Sequence, residues 1–314
     1  MDLKQIQYFV QIARFRSFNR AASHLYIAQS ALSRQIRLLE QELGVPLMLR
    51  HARGVRLTAA GELLLVRAEA LLRFSRQLRD EVVAQGSEPR GEVVIGLPPS
   101  LNHSIAVPLL IAIARRYPYL RVTTWVGTSM MLKELLDAGA VDLAVVGALD
   151  TESTGSMQPL FRDELCLVGA ANADLPRGPI TCRQLTGLPL ILTSRPNSMR
   201  RIVDAAAADL GFELQVVMEV NYVPLILELV RQEVGHTLLP LPAVEQMVAA
   251  RELKLTRITG LSYEWVVVLP KDNPGSVGTR CVQDLLQELV TTRARGGNTE
   301  TASNARARRK RRRR

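Results

Sequence analysis

The chain has 314 residues and a formal net charge of +10, which comes from 40 lysines and arginines against 30 acidic residues. Its length suggests two or three domains, and its 47% of hydrophobic residues can bury a sizeable core, which excludes a wholly disordered chain. The charge is unevenly placed: residues 1–58 carry nine basic and three acidic residues, and residues 295–314 carry nine basic and one acidic residue. Residues 59–294 are therefore mildly acidic, and nucleic acid is a candidate partner of the two ends.

The sequence offers no metal, disulfide or catalytic pattern. Its cysteines, Cys166, Cys182 and Cys281, form an odd and sparse set, and the four histidines have no mutual metal spacing. We therefore expect no cofactor and no metal site. No nucleophile elbow, zinc-protease, P-loop or dinucleotide motif occurs, so we assign no catalytic residue and expect that the protein is not an enzyme.

No apolar run reaches the ~18 residues that a membrane span needs. The N-terminal segment MDLKQIQYFVQIARF is amphipathic and interrupted by charge, unlike a secretion signal. We expect a cytoplasmic protein without membrane contact.

The first 58 residues are expected to form one small domain of short helices and a hairpin. Apolar residues spaced three and four apart predict the helices, and turn residues separate them. The predicted elements are a helix with a stripe from Leu3 to Ala13, a helix Phe18–Leu25 capped by Ser17, a helix from about Gln29 to Leu43 stopped by Gly44, and a hairpin within VPLMLRHARGVRLT.

Residues 59–86 predict one long amphipathic helix of about 27 residues, about 40 Å in length, within a linker segment 59–90. The helix projects from a small domain, so its apolar stripe needs a partner, and a second copy of the same helix is the economical one. The composition of SEPRG (87–91) is typical of a linker.

From residue 92 onward, strand and helix patterns alternate. Strands are predicted at 92–97, 120–126, 141–147, 188–193, 214–220, 237–241 and 265–270, helices at 104–117, 129–139, 199–211, 223–234 and 279–292, and consecutive strand-like runs within 157–170. This rhythm predicts parallel sheets covered by helices. We expect an α/β domain over 91–294 with two lobes, the first from about 91–160 and 266–294, the second from about 161–265, and a ligand cleft between them. Residues 295–314 are expected to form a disordered, Arg-rich tail.

The third helix carries the functional signal. Leu32, Ile36, Leu39 and Leu43 are predicted to form its buried face, and the outer face is predicted to hold Gln29, Ser30, Ser33, Arg34 and Arg37. Glutamine can pair with adenine and arginine with guanine in a major groove, and serine allows close approach. A helix, a tight turn and this polar helix together indicate a helix-turn-helix, and the hairpin with Arg50, Arg53 and Arg56 fits a basic wing on phosphates or in the minor groove.

The alternative is a solvated face of an ordinary helical domain, since polar faces with two arginines are common. The combination of helix, turn, reader, glycine stop and basic wing in one 58-residue block favours DNA binding.

The segment from Ser17 to Leu65 resembles the N-terminal domain of LysR-type transcriptional regulators. The matching pieces are the AAxxL helix, QSALSRQI, LExELGVPL and RLTxAG, and the resemblance extends over about residues 1–292. It implies a multidomain α plus α/β protein: a winged helix-turn-helix, a long linker helix, and a two-lobed effector domain like periplasmic binding proteins.

The resemblance also implies partners. These are a double-stranded DNA operator, a small-molecule effector in the cleft, and a second copy of the chain bound through the linker helix, commonly in a tetramer of two dimers; RNA polymerase is a further candidate partner. Gln29, Ser33 and Arg34 match the family's base-reading positions, and Arg53 matches its wing position. The chain departs from the family at Ala28, where a capping Ser or Thr is common, and at Met48-Leu49, where an aromatic residue often stands.

The family pattern points to three parts of an effector site. The first loop contributes Ser100 and Asn102, with His103 close by, and the second offers Thr128 and Ser129 at a helix N-terminus, which can cradle a carboxylate or phosphate. The second lobe offers Thr193, Ser194, Arg195 and Ser198, and a weaker wall at Asn221-Tyr222. Ser129 could instead only cap its helix, and the loop at 193–201 could be ordinary exposed surface. We expect a polar or anionic metabolite.

Parts of the sequence also fit two other protein classes. A plain solute-binding protein is disfavoured by the N-terminal DNA module, and an architectural DNA-binding protein driven by the arginine tail would differ in its salt dependence. The tail itself either adds non-specific DNA affinity or has no function.

Overall fold

The computed structural model describes residues 1–51, 54–83, 88–150, 156–270 and 275–293. Its N-terminal part consists of α1 (Leu3–Phe15), α2 (Phe18–Leu25), α3 (Gln29–Leu43) and a hairpin of β1 (Met48–His51) and β2 (Gly54–Leu57). The three predicted helices and the hairpin are thereby confirmed. The expected disorder of residues 295–314 lies outside the described residues.

The three N-terminal helices enclose one apolar core. Its innermost side chains, Phe9, Ile12, Leu32 and Leu39, are essentially inaccessible to solvent. Ser17 caps α2 as predicted, because its hydroxyl accepts a hydrogen bond from the Arg20 backbone N–H.

The hairpin is fixed to the helices by its backbone. A carboxylate oxygen of Glu40 in α3 accepts hydrogen bonds from the backbone N–H groups of Leu47 (2.8 Å) and Met48 (3.2 Å), where β1 begins. On β2, Gly54 adopts a φ of +132° and lies against the Arg16 carbonyl, so that a Cβ there would stand 2.6 Å from that oxygen. Only glycine satisfies both constraints, and the hairpin therefore packs on the helical core in one arrangement.

The linker helix α4 spans Ala59–Val83, and the last predicted residues, 84–86, lie outside the described residues. Ala68 and Leu72 are buried in the N-terminal core, as one side of the helix packs on α1. Six large apolar side chains of α4 stay 37% to 65% exposed within the single chain: Leu63, Val66, Leu71, Phe74, Leu78 and Val82. The predicted stripe is therefore present and uncovered.

The other side of α4 contacts the C-terminal domain. The guanidinium of Arg73 lies 3.7 Å from the Asp142 carboxylate, and both side chains are only 10–12% exposed. Asp142 also accepts a hydrogen bond of 2.7 Å from the Val94 backbone N–H. Arg73 and Arg67 donate to the backbone carbonyls of Gly139 and Asp137, so two arginines attach α4 to one loop.

The C-terminal domain is built on a continuous sheet with the order β10-β6-β11-β5-β3-β4. Its strands are β3 (Gly91–Leu97), β4 (Leu120–Val126), β5 (Leu143–Gly147), β6 (Ser156–Ala170), β7 (Ile180–Thr181), β8 (Leu190–Leu192), β9 (Val216–Glu219), β10 (Thr237–Pro240) and β11 (Leu253–Leu269), with β7 on β11 and β8 on β9. The β3–β4, β3–β5 and β8–β9 pairs are parallel, as the alternating pattern predicts.

Helices cover both faces of this domain. They are α5 (Val107–Arg116), α6 (Ser129–Asp137), α7 (Ser198–Asp209), α8 (Val223–Arg231), α9 (Leu241–Ala249) and α10 (277–293), and a π-helical turn Asn102–Ala106 precedes α5. We call the part around β3, β4 and β5 the first lobe and the part around β8, β9 and β10 the second lobe.

Two long antiparallel strands join the lobes. The predicted strand-like runs at 157–170 form the single strand β6, and its partner β11 extends the predicted strand 265–270 back to residue 253. Helix α9 was not predicted from the sequence. Residues 253–264 of β11 were not predicted either, because LKLTRITGLSYE contains polar residues and a glycine, and several of its side chains are exposed. No helix in the described ranges is long and apolar enough to cross a membrane.

Substitution Gly54→Ala should destabilise the N-terminal domain by about 1–3 kcal/mol, because alanine tolerates neither the backbone angle nor the nearby carbonyl. Thermal unfolding of the full chain measures the loss. Gly178→Ala, at a glycine with open space around its Cβ position, is the matched control. Equal unfolding temperatures for the two variants would contradict the constraint.

Candidate DNA-reading helix and inter-lobe pocket

A tight turn joins α2 to α3, as predicted from the sequence. Tyr26 ends α2 with a left-handed φ of 56°, and Ala28 precedes α3 in extended conformation without a side-chain cap. Ser30, Arg34 and Arg37 are exposed along one face of the helix, and Gln29 is half-buried at its first turn.

Two placements on α3 need correction. Ser33, predicted on the outer face, is only 3% exposed, because it lies at the edge of the buried stripe of Leu32 and Ile36 and is held by two neighbouring side chains. Leu43, predicted in the buried face, is 39% exposed, because it is the last residue of the helix and lies in an exposed stretch that continues to residue 46.

The Ser33 hydroxyl joins the reader helix to the wing. It accepts a hydrogen bond of 2.8 Å from the Gln29 side-chain amide and one of 2.7 Å from the Arg50 guanidinium. The same guanidinium lies 3.9 Å from the centre of the Phe18 ring. Arg56 is exposed on β2, and Arg53 lies outside the described residues.

A cavity of about 170 Å³ opens between the two lobes. The first lobe contributes Thr128, Ser129 and Met130, and the second contributes the segment Ser194–Ser198 and Asn221. The cavity brings together six candidates that were predicted from the sequence: Thr128, Ser129, Ser194, Arg195, Ser198 and Asn221.

Other predicted residues lie elsewhere. Ser100 is buried in the short turn Pro99–Leu101, Asn102 and Tyr222 are exposed outside the lining, and Thr193 contributes its carbonyl to Arg200. Met130 and Asn197 line the cavity without having been assigned there. Asn197 caps α7 through hydrogen bonds from the N–H groups of Met199 and Arg200, and an N-cap asparagine before an apolar-periodic run was the available signal.

Most of the lining hydroxyls already have partners within the protein. Ser129 accepts a hydrogen bond of 3.1 Å from the Gly147 backbone N–H, and Ser198 shares one with the Tyr263 hydroxyl. Ser194 and Asn221 bond each other. The cavity wall is therefore pre-shaped, and Ser129 does not cap its helix; Thr128 does.

The charged and dipolar groups that line the cavity are positive. Arg195 is the one charged side chain among the described residues of the lining, and the N-termini of α6 and α7 both open into it. Asp204, which pairs with Arg195 at 2.7 Å and Arg200 at 2.9 Å, stands behind the lining. Burial raises the pKa of Asp204, but hydrogen bonds from these two arginines outweigh it and leave the pKa below its ordinary value.

A partly buried carboxyl lies where β6 and β11 cross between the lobes. Asp163 pairs with Tyr263 in the ladder, and one of its carboxylate oxygens finds no hydrogen-bond partner in the described structure. Burial raises the pKa of Asp163 to about 6, while the Arg293 charge and the nearby Trp265 indole N–H lower it. The charge of Glu245 also raises the pKa of Asp163. The ionised, partly buried Asp163 carboxylate therefore lowers the stability of the fold at neutral pH.

Two of the three cysteines are buried, unreactive thiols. Burial raises the pKa of Cys166 to about 11 and also raises that of Cys182, so both stay protonated and inert as thiols. All three cysteines are free, and none lines the cavity. In the described ranges, no group of His, Cys, Asp and Glu is arranged to hold a metal ion.

Reader helix, wing, uncovered linker helix and inter-lobe cavity define a ligand-responsive, DNA-binding transcriptional regulator. The model of the bacterial regulatory helix-turn-helix protein, lysR family, matches residues 3–62, and the model of the LysR substrate binding domain matches residues 86–291. The chain belongs to the LysR family of transcriptional regulators, and it is not an enzyme.

Curated relatives match almost end to end. The HTH-type transcriptional regulator BbuR of Bordetella bronchiseptica is 31% identical, covering 95% of this chain and 92% of its own. The nitrogen assimilation regulatory protein nac of Escherichia coli is 30% identical, covering 93% and 96%.

Solved structures share the fold at lower identity. Full-length CbnR complexed with target DNA has a TM-score of 0.67 at 21% identity, covering 93% of this chain and 99% of that one. A full-length OxyR variant from Pseudomonas aeruginosa has a TM-score of 0.70 at 20% identity, covering 92% and 94%. These likenesses establish the architecture expected from the sequence.

Asp163→Asn should stabilise the protein at pH 7.5 by about 1–3 kcal/mol, because the amide has no charge to desolvate. The raised pKa means that the native state holds a proton which the unfolded state releases, so wild-type stability increases as pH falls through about 6. Thermal unfolding at pH 7.5 and pH 5 should show the advantage of the variant shrinking in acid. Asp174→Asn, at an exposed aspartate, controls for the substitution itself, and a pH-independent difference would refute the assignment.

Proposed function

We propose that this regulator reads its operator chiefly through Gln29 and Arg34 of α3 and responds to a small anionic or polar effector between its lobes. Gln29 and Arg34 lie five positions apart on the first turns of the reader helix. An amide suits adenine, and an exposed guanidinium suits guanine. Ser30 and Arg37 on the same helix, and Arg53 and Arg56 of the wing, are proposed to contact the phosphate backbone or groove edges.

The effector proposal rests on one observation: two helix N-termini and Arg195 face a cavity whose described lining holds no carboxylate. Aligned N–H groups and a guanidinium stabilise negative charge, and the hydroxyls of Thr128 and Ser129, which accept hydrogen bonds within the protein, can donate to a ligand. A volume of about 170 Å³ suits a small metabolite. Ser100, Asn102, Thr193 and Tyr222 are outside this lining, so we assign them no contact in this arrangement.

The chain is proposed to dimerise through α4. Six large apolar side chains between Leu63 and Val82 remain uncovered on one helix, and a second copy offers the matching surface. Uncovered apolar residues on the C-terminal domain, among them Ile111, Trp125 and Leu225, favour a second contact and hence a tetramer. We also propose that the protein acts in the cytoplasm and that RNA polymerase is a further partner, because a regulator of transcription works on the DNA that the polymerase reads.

Gln29→Ala and Arg34→Ala should each lose discrimination at particular base pairs, by about 1–3 kcal/mol, because each removes a bidentate base contact. Selection of preferred DNA from a random pool, followed by affinity measurements on single-base variants, measures this. Gln41→Ala, which removes an exposed glutamine near the other end of α3, should leave the preference intact. Unchanged preference in Gln29→Ala would contradict the proposed reader.

Titration with a panel of small organic acids and their neutral amides should show binding to the acids, read as a rise in unfolding temperature and by calorimetry. Arg195→Gln should weaken the best acid about tenfold, since a charge-assisted hydrogen bond is lost. Arg231→Gln, an exposed cation of the second lobe outside the cavity, should not. A response confined to neutral or apolar compounds would contradict the proposal that the effector is an anion.

A further inference from the structure

Ser33 is nearly inaccessible to solvent and yet accepts two side-chain hydrogen bonds, from Gln29 and from Arg50. A hydroxyl has two acceptor lone pairs, and both are used. Its position suits it to hold neighbouring side chains and not to contact DNA itself.

The bond to Ser33 leaves Gln29 with a defined set of free groups. A glutamine amide carries two N–H donors and one carbonyl acceptor, and Ser33 uses one N–H. One donor and the acceptor remain. Adenine presents the complementary pair in the major groove, an acceptor at N7 and a donor at N6.

Arg50 is engaged on the protein side. Its guanidinium stacks on Phe18 and donates to Ser33, two contacts that hold the planar group against the helices. Arg50 lies on β1, and Leu47 and Met48, where this strand begins, donate backbone hydrogen bonds to Glu40 of α3, so the wing carries the group that orients the reader.

We infer that Arg50 and Ser33 are positioning residues that set the amide of Gln29 for base reading. A free Gln29 side chain would sample several rotamers and lose part of its free energy of recognition on ordering. The inference rests on the proposed role of Gln29, and it replaces the expected phosphate contact of Arg50 with an indirect role in specificity.

The test compares full-length Arg50→Ala, Arg50→Lys and Ser33→Ala with Arg56→Ala, which removes one exposed charge from the same hairpin. Operator sequence comes from selection on a random pool, and affinities are measured on the operator and its variant at the Gln29 base pair across a salt series. Arg50→Ala and Ser33→Ala should reduce the preference at that base pair about tenfold with an unchanged salt slope. Arg50→Lys should behave like Arg50→Ala, because lysine keeps the charge without the planar fork.

Arg56→Ala should instead weaken binding to all sequences alike and reduce the salt slope by about 0.9, as for one lost phosphate contact. In the Gln29→Ala background, Arg50→Ala should cost no further discrimination, since its effect passes through Gln29. A reduced salt slope with preference retained in Arg50→Ala, or rescue by Arg50→Lys, would overturn the inference. If Gln29→Ala loses the base preference and Ser33→Ala does not, the positioning role is overturned but Gln29 remains the proposed reader. If Gln29→Ala keeps the full preference, both the positioning role and the proposed reader are overturned.

Discussion

The antiparallel ladder between β6 and β11 is the constraint on which the C-terminal domain depends. Both strands run through both lobes, and a register irregularity between Arg257 and Ser262 marks the passage from one lobe to the other. β5 joins β11 on the first-lobe side, and β10 joins β6 on the second. Because one pair of strands fixes both lobes, the distance between α6 and α7, and hence the pocket, is set by this ladder.

The N-terminal domain uses a different solution, in which polar side chains connect elements that are too small to form a large core. Glu40 bonds the backbone of the wing, and Arg50 returns from the wing to Phe18 and Ser33. Ser33 is buried and would be costly if left without hydrogen bonds, so the network favours one arrangement of the wing on α3. Rigid placement of a reader matters because base discrimination depends on bidentate geometry.

Periodicity in the sequence was sufficient for α1 to α4 and for most strands and helices of the lobes, since their apolar residues recur at clear spacings. Contacts between segments that lie far apart in the sequence could not be predicted from this periodicity. The burial of Ser33 depends on Arg50, 17 residues further on, and the meeting of Ser129 with Ser198 depends on how the lobes are joined. The first half of β11 could not be predicted from the sequence. Its buried and exposed residues do not alternate regularly, so the polar residues there interrupt the hydrophobic periodicity that marks a strand.

The Arg73–Asp142 pair has a mechanical consequence. Substituting Arg73 would remove the cation beside a nearly buried carboxylate, a penalty of about 3–5 kcal/mol. Helix α6 begins at the pocket with Ser129 and ends at Asp137, whose carbonyl receives Arg67 of α4. One helix of about 13 Å therefore borders the inter-lobe cavity at its first residues and contacts the linker helix at its last, and an axial shift of α6 would move both contacts.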